Sequence, residues 1–375
     1  MSELHIRPFG AGDLGPVVAL WNRCLPKDQI TKERFWHMFL LDPNFDSAGA
    51  LVAEEVGGGG RAGAPSGAAA AGGGAGGADA GLAATGGRAA GGRAAGGGAI
   101  VGFLQVVVRR FPLGTLGLEP GRGYLNVFFV EPQQRRHGVA TALLSVAIEY
   151  LRGHGCRELR CGGYVPYYVT PGVDVDYVDT HSFLAMNGFT RVAAPVAMGR
   201  ALERAATPAW VREREAMLSL EGIEVRGFQV EDTLPLLDFV EKHFPDWAPS
   251  VRDGLQHENL EIVVATMDDS AVAGGGGATA AGGAPNLEIV GCAQWENTYN
   301  DPPRGMPGRF GPFGVRPDLR NRGIGAVIFW NMVQRARARG SRYLWFGWAG
   351  GRNVAFYERM GCQVTRSFVL YRKVL

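Results

Sequence analysis

Glu131-Pro-Gln-Gln-Arg-Arg-His-Gly-Val-Ala140 and Arg316-Pro-Asp-Leu-Arg-Asn-Arg-Gly-Ile-Gly325 stand in the two halves of a 375-residue chain. Pro132, Arg135, Gly138 and Ala140 match Pro317, Arg320, Gly323 and Gly325 in spacing, and each stretch follows a valine, Val130 or Val315. Before each lies a strand-like run, Leu125–Val130 and Arg309–Val315. After each, apolar residues recur every three to four positions (Leu143, Leu144, Ala147, Leu151; Ile328, Met332, Val333), the helical spacing. A glycine turn between a strand and a helix is an anion site. Small residues let backbone approach a ligand, successive N–H groups and the helix dipole face it, and arginines add charge suited to phosphate. The expected guest is a pyrophosphate, although neither GxxxxGK[ST] nor GxGxxG followed by a distant acid is present.

Working outward, the whole chain reads twice. Leu4–Phe9 and Ile223–Phe228 open the copies as strands. Helical spacing follows through Val17, Leu20 and Trp21, and through Leu234, Leu237, Phe239 and Val240. Two strands then flank a Gly/Ala tract in each copy: Gly49–Glu54 and Ile100–Val108, then Glu261–Thr266 and Leu287–Trp295. The tracts, 57–98 and 271–285, lack periodicity and bulk, and read as disordered insertions at hairpin tips. After each motif helix come a strand (Glu158–Gly162; Arg342–Trp348), a short helix ending at glycine (Ser182–Asn187; Val354–Met360) and two closing strands. The expected organisation is a first domain at 1–203, a linker helix at 204–220 opened by Pro208, and a second domain at 221–375.

Composition agrees with two ordinary cores: 46% of residues are hydrophobic and the net charge is about +2. Acids and bases are interspersed, so no nucleic-acid partner is called for. No apolar run reaches the ~18 residues of a membrane span, and the N-terminus lacks a signal pattern. Five scattered cysteines, none in a CxxC pair, suggest reduced thiols, a cytoplasmic setting and no metal site.

The paired turns resemble motif A of the GNAT superfamily of N-acetyltransferases. The resemblance implies two tandem α/β (α+β) folds, each a mixed, mostly antiparallel twisted sheet with helices on both faces. It also implies acetyl-CoA as co-substrate. Its contacts would be Arg135, Arg136, His137, Gly138, Val139 and Ala140 in one copy, and Arg320, Asn321, Arg322, Gly323, Ile324 and Gly325 in the other. The N–H groups of Val130 and Val315 would meet the acyl carbonyl. Arg352-Asn-Val-Ala-Phe-Tyr-Glu-Arg-Met-Gly361 resembles a further family pattern, one residue short. It makes Tyr357 the candidate acid for the departing thiolate and Asn353 a cofactor contact at its helix start.

The first copy has Leu184 in place of that tyrosine. It carries instead Tyr167-Tyr-Val-Thr-Pro-Gly-Val-Asp-Val-Asp-Tyr177, which is similar to a loop of acetyltransferase-like domains related to those of O-GlcNAc hydrolases. Asp174 and Asp176 there, with Asp179, are candidate substrate residues; a solvated turn is the alternative. Glu296 and Asp301 follow the strand before the second motif strand and are candidates to receive the amine proton or line the acceptor side. The expected function is transfer of an acetyl group to a primary amine of a small molecule or peptide, with the chemistry in the C-terminal copy. The alternatives are chemistry in the N-terminal copy, or a silent acyl-CoA-binding scaffold.

Overall fold

The computed structural model describes residues 3–56, 98–257, 259–268, 287–296 and 308–375. Both Gly/Ala tracts lie outside them, apart from Gly98, and so does Asp301. The first half runs β1 (Glu3–Pro8), α1 (Leu14–Cys24), α2 (Lys32–Phe35), β2 (Ala50–Val56), β3 (Ala99–Val108), β4 (Arg122–Val130), α3 (Val139–Gly153) and β5 (Glu158–Cys161). It ends with β6 (Val173–Asp174), α4 (Val178–Met186), β7 (Thr190–Ala193) and β8 (Val196–Ala201). Helix α5 (Ala209–Leu220) joins it to β9 (Ile223–Gly227), α6 (Thr233–His243), α7 (Ala248–Gly254), β10 (Leu260–Asp268), β11 (Leu287–Glu296) and β12 (Arg309–Val315). There follow α8 (Ile324–Ala338), β13 (Tyr343–Ala349), α9 (Arg352–Arg359) and β14 (Gln363–Val374).

The repetition extends to side chains. Arg7 clasps Asp13 at 2.7 and 2.9 Å while Gly10 N–H donates to the same carboxylate at 2.8 Å. In the second copy Arg226 clasps Asp232 at 2.6 and 2.8 Å, with Gln229 N–H donating at 2.8 Å. These contacts fix the turn from the first strand into the first helix, where free N–H groups need acceptors. Helices cover both sheet faces. In the first copy Trp21, Phe35, Phe39, Phe103 and Phe129 pack under α1 and α2, while Leu143, Leu144, Ala147 and Leu151 of α3 fill the other face.

Helix α8 differs from its counterpart α3. It is buried nearly all round (Ile324, Ala326, Val327, Ile328, Phe329, Trp330, Met332, Val333, Ala336), as an apolar helix between two layers must be. The outer layer is α5, whose Val211 and Leu218 are buried in the same core.

The strands form one sheet in the order β1-β2-β3-β4-β5-β14-β8-β13-β12-β11-β10-β9, with β6 and β7 also on β14. Neighbours are antiparallel except β4 beside β5 and β12 beside β13. The closing strands are exchanged. Strand β14, the last of the chain, pairs with β5 of the first copy (Tyr371 opposite Cys161). Strand β8, the last of the first copy, pairs with β13 of the second (Phe346 opposite Met198). The expected pair of closing strands in the second copy is corrected to a single 12-residue strand. Gln363–Val374 contains no proline or glycine to break it, whereas Pro195 separates β7 from β8.

Candidate active site

The two glycine turns have the same backbone. Arg136 and Asn321 adopt φ of 63° and 66°, and Gly138 and Gly323 both adopt 85°. At a φ of this sign a Cβ is strained, which is why glycine stands there. Each turn feeds a 15-residue helix. The N–H groups of residues 136–140 and of 321–325 find no acceptor among the described residues, so each loop offers five donors in a row. Arg135 Nε donates to Val130 C=O at 3.3 Å, and Arg320 Nε to Val315 C=O at 3.2 Å. Of the expected contacts, Val139 and Ile324 are buried helix anchors, so only their backbone can face a ligand. His137 is exposed.

Beside each turn the two parallel strands part. Strands β4 and β5 pair from Arg122–Glu158 to Leu125–Cys161 and no further, leaving Asn126–Val130 unpaired on that side. Strands β12 and β13 pair only at Arg309–Trp345. Glu131 N–H donates to Val101 C=O and Arg316 N–H to Val290 C=O, both at 2.8 Å, on the opposite flank. Successive residues of a strand alternate direction, so the N–H and C=O of Val130 and Val315 turn toward the opening.

Tyr357 is half-buried on α9, ringed by Phe346 at 4.2 Å, Phe356 at 5.2 Å, Phe313 at 6.2 Å and Phe310 at 6.4 Å between centroids. Its hydroxyl has no hydrogen-bond partner among the described residues. Burial pushes its pKa well above that of a free phenol, so it stays protonated at neutral pH. Glu296 is paired in register with Arg309, at the closed end of the opening, while Val315 lies opposite Gly291. Six strand residues separate these levels, roughly 20 Å, with Tyr357 between them beside Phe310 and Phe313. Asn353 is exposed in the first turn of α9; Gly351, not Asn353, is the N-cap.

In the first copy the aspartates are spread over different contacts. Asp174 is 2% exposed and accepts from Arg366 Nε at 2.7 Å, with Lys27 at 3.5 Å. Asp176 pairs with Lys27. Asp179 lies 3.8 and 3.7 Å from Arg135 and Arg136 of the glycine turn. The Pro-Gly-Val-Asp loop thus docks on β14, where Val173 and Asp174 pair with Val369 and Phe368.

Sequence reasoning missed Tyr371. This residue comes from the chain's last strand yet is buried in the first copy's core. Its hydroxyl is 2.6 Å from His181 Nδ1 on α4, and His181 Nε2 is 3.0 Å from Asp174 C=O. A carbonyl only accepts, so Nε2 carries the proton and Tyr371 donates to Nδ1.

The copies also differ above the turn. Among the described residues nothing lies within 4 Å of the position a Cβ would take at Gly138. Over Gly323 that position lies 2.7 Å from Cγ of Arg214, on α5.

A mixed sheet whose central parallel strands part beside a helix-capped anion cradle defines an acyl-CoA transferase fold. The model of the acetyltransferase (GNAT) family matches residues 83–166 and 237–362, more than half of the chain, and the chain belongs to that family. Among solved structures it is similar to a glucosamine N-acetyltransferase region of a fungal multi-domain GH3 β-N-acetylglucosaminidase (TM-score 0.68, 19% identity). That match covers 99% of this chain, which spans only 38% of the fungal one. It is similar over 99% of its length to a GCN5-related N-acetyltransferase from Sphaerobacter thermophilus (TM-score 0.59, 18% identity, 95% of that chain). A tandem GNAT protein of the clavulanic acid biosynthesis pathway is similar too (TM-score 0.58, 14% identity, 99% of this chain and 98% of that one). No curated protein matches the sequence significantly. Among the described residues no helix is long and apolar enough to cross a membrane.

Proposed function

We propose that the protein is a cytoplasmic N-acetyltransferase that moves the acetyl group of acetyl-CoA to a primary amine of a small molecule or peptide. Residues 1–203 and 221–375 are two acyltransferase-like copies joined by 204–220, each completed by the closing strand of the other. The observation that carries the proposal is the five-donor loop at the mouth of a strand opening. The donors face a pyrophosphate, and the opening admits a thioester arm to the sheet.

In the reaction the neutral amine attacks the thioester carbonyl and a C–N bond forms. The oxyanion is met by the N–H of Val130. The C–S bond then breaks, the thiolate takes up one proton, and the amine sheds one to a carboxylate or water.

The open loop over Gly138 favours the first copy as the working one. Leu184 supplies no proton there, and Tyr371 is the candidate donor, its O–H turning from His181 Nδ1 to the departing thiolate. The alignment of the copies supports this: Tyr371 faces Cys161, the counterpart of Phe346, against which Tyr357 packs. A second reading puts the chemistry in the C-terminal copy, and the unpartnered hydroxyl of Tyr357 favours it.

The test is thiol release from acetyl-CoA across an amine panel that begins with glucosamine, because the similar fungal region is a glucosamine N-acetyltransferase. Mass spectrometry follows the N-acetyl product. Product in step with free CoA supports the proposal; free CoA without product overturns the amine acceptor. Tyr371→Phe lowers kcat by about 100-fold or more, the usual worth of a general acid. Tyr357→Phe stays within about threefold. The reverse pattern moves the chemistry to the C-terminal copy.

A further inference from the structure

The two loops have one backbone but different neighbours. Helix α5 lays Arg214 over the second loop. A Cβ at Gly323 would lie 2.7, 3.0 and 3.1 Å from Cγ, Nε and Cδ of that arginine, whereas at Gly138 it would meet nothing within 4 Å. Arg214 Nε donates to the carbonyl of Arg322, inside the loop. Its guanidinium lies 3.4 Å from Glu221, at the C-terminal end of α5, and Glu221 also pairs with Arg322. A carboxylate and an arginine stem thus occupy the approach to the five N–H donors of residues 321–325.

The helix that delivers them is firmly seated. Val211 and Leu218 are buried against α8, and Gln334 reaches Thr207 Oγ1 at 3.2 Å just ahead of α5. A diphosphate resting on the second loop needs the volume above Gly323 that the methylenes of Arg214 fill, and it would face the charge of Glu221. Among the described residues no such helix covers the first copy's loop.

We infer that Arg214, backed by Glu221, closes the second cradle, so that the chain takes up one acyl-CoA, in its first copy. The inference rests on the reading that these cradles take CoA.

The test is calorimetric titration of CoA itself into the full chain, with circular dichroism and melting curves on every variant. Wild type is expected to bind one equivalent, lost with Gly138→Glu and kept with Gly323→Glu. Arg214→Ala gains a second equivalent, which Gly323→Glu removes again in the double variant. Arg214→Met, which keeps an unbranched stem without charge, stays at one. Two equivalents in wild type overturn the inference while leaving the CoA reading intact. So does a folded Arg214→Ala that stays at one equivalent, or wild-type binding lost with Gly323→Glu alone. No binding by any variant overturns the CoA reading itself.

Discussion

Arg366→Met removes a cation on which two nearly buried carboxylates depend. Arg366 stands on the exchanged strand β14 and holds two carboxylates of the first copy. It reaches Asp28 at 2.6 and 3.1 Å and Asp174 at 2.7 Å, and both are nearly buried, at 4% and 2% exposure. Methionine keeps the apolar stem and removes the cation. Asp28 would retain the Tyr177 hydroxyl at 2.9 Å. Asp174 would retain Lys27 and the Asp176 N–H.

Stripping the partner from a buried pair costs about 3–5 kcal/mol. The residual contacts of Asp174 argue for the lower end, about 3 kcal/mol. At about 2.1 cal/mol/K of unfolding entropy per residue, a 375-residue chain shifts by roughly 1–1.5 °C per kcal/mol, and the melting temperature falls by about 4 °C. The sign of the pH dependence follows from Asp174. Burial pushes its pKa up, but the Asp176 N–H and Arg366 more than offset this and hold it below the ordinary carboxylate value. Its contribution in the wild type is therefore full above about pH 4 and is lost as pH falls through the depressed value. In the variant burial acts with less opposition, so the Asp174 carboxyl protonates sooner and the deficit narrows between pH 7 and pH 5. Thermal unfolding at the two pH values measures both. A melting temperature within 2 °C of wild type at pH 7, or a deficit that widens on acidification, would refute the reasoning.

Two further outcomes are expected. Asp13→Asn and Asp232→Asn each weaken a bidentate arginine contact and should each cost about 1.5–3 kcal/mol. Burial pushes the Asp13 carboxyl up but Arg7 and the Gly10 N–H lower it overall, and Arg226 leads in lowering Asp232. Both losses should therefore appear above about pH 4 and vanish in stronger acid, as denaturant titrations at pH 7 and pH 3 can check; a cost from only one of the pair would break the equivalence of the two copies. All five cysteines are free and buried. Burial pushes Cys24 up to about 11 and Cys161, Cys292 and Cys362 up to about 12. An aromatic disulfide reagent at pH 8 should label less than one thiol in the native protein and five after denaturation. Fast labelling of any cysteine would contradict the packing around it.

The elements of the fold were legible because their signals are local. Leu143, Leu144, Ala147 and Leu151 mark one helix face whatever surrounds them, and Gly138 and Gly323 stand where the backbone turns left-handed. The three-residue spacing of Trp345 and Trp348 on a strand predicts opposite faces, and the structure leaves them 8% and 37% exposed. Strand pairing is not local. Val196–Ala201 and Gln363–Val374 both read as strands, but nothing in either composition says which copy's edge it will join, and equivalent edges in a repeat are alternative partners for both. The position of Arg214 was hidden for a related reason: a helix between two domains reads as a connector. The available signal lay in α8, where Ile324 and Ala326–Trp330 leave no polar face for solvent and so call for a second covering layer. Asp174 follows a Pro-Gly turn that suggests solvent, and only β14, nearly 200 positions on, turns it into a buried ion-pair partner.

The exchange of closing strands also constrains how the two copies could have diverged. In each copy the residue opposite the central parallel strand comes from the other half: Tyr371 faces Cys161, and Met198 faces Phe346. The phenol beneath the short helix therefore belongs to the helix in one copy, as Tyr357, and to the borrowed strand in the other, as Tyr371. Leu184 on the helix thus does not leave the first copy without a hydroxyl group, because Tyr371 of the opposite half reaches it. Cutting the chain at the linker would leave β5 and β13 each without the strand that covers it, and would take Tyr371 away from the first copy. A single half should then be neither a stable sheet nor a complete site, and the chain has to be read as one folded unit with two unequal cradles.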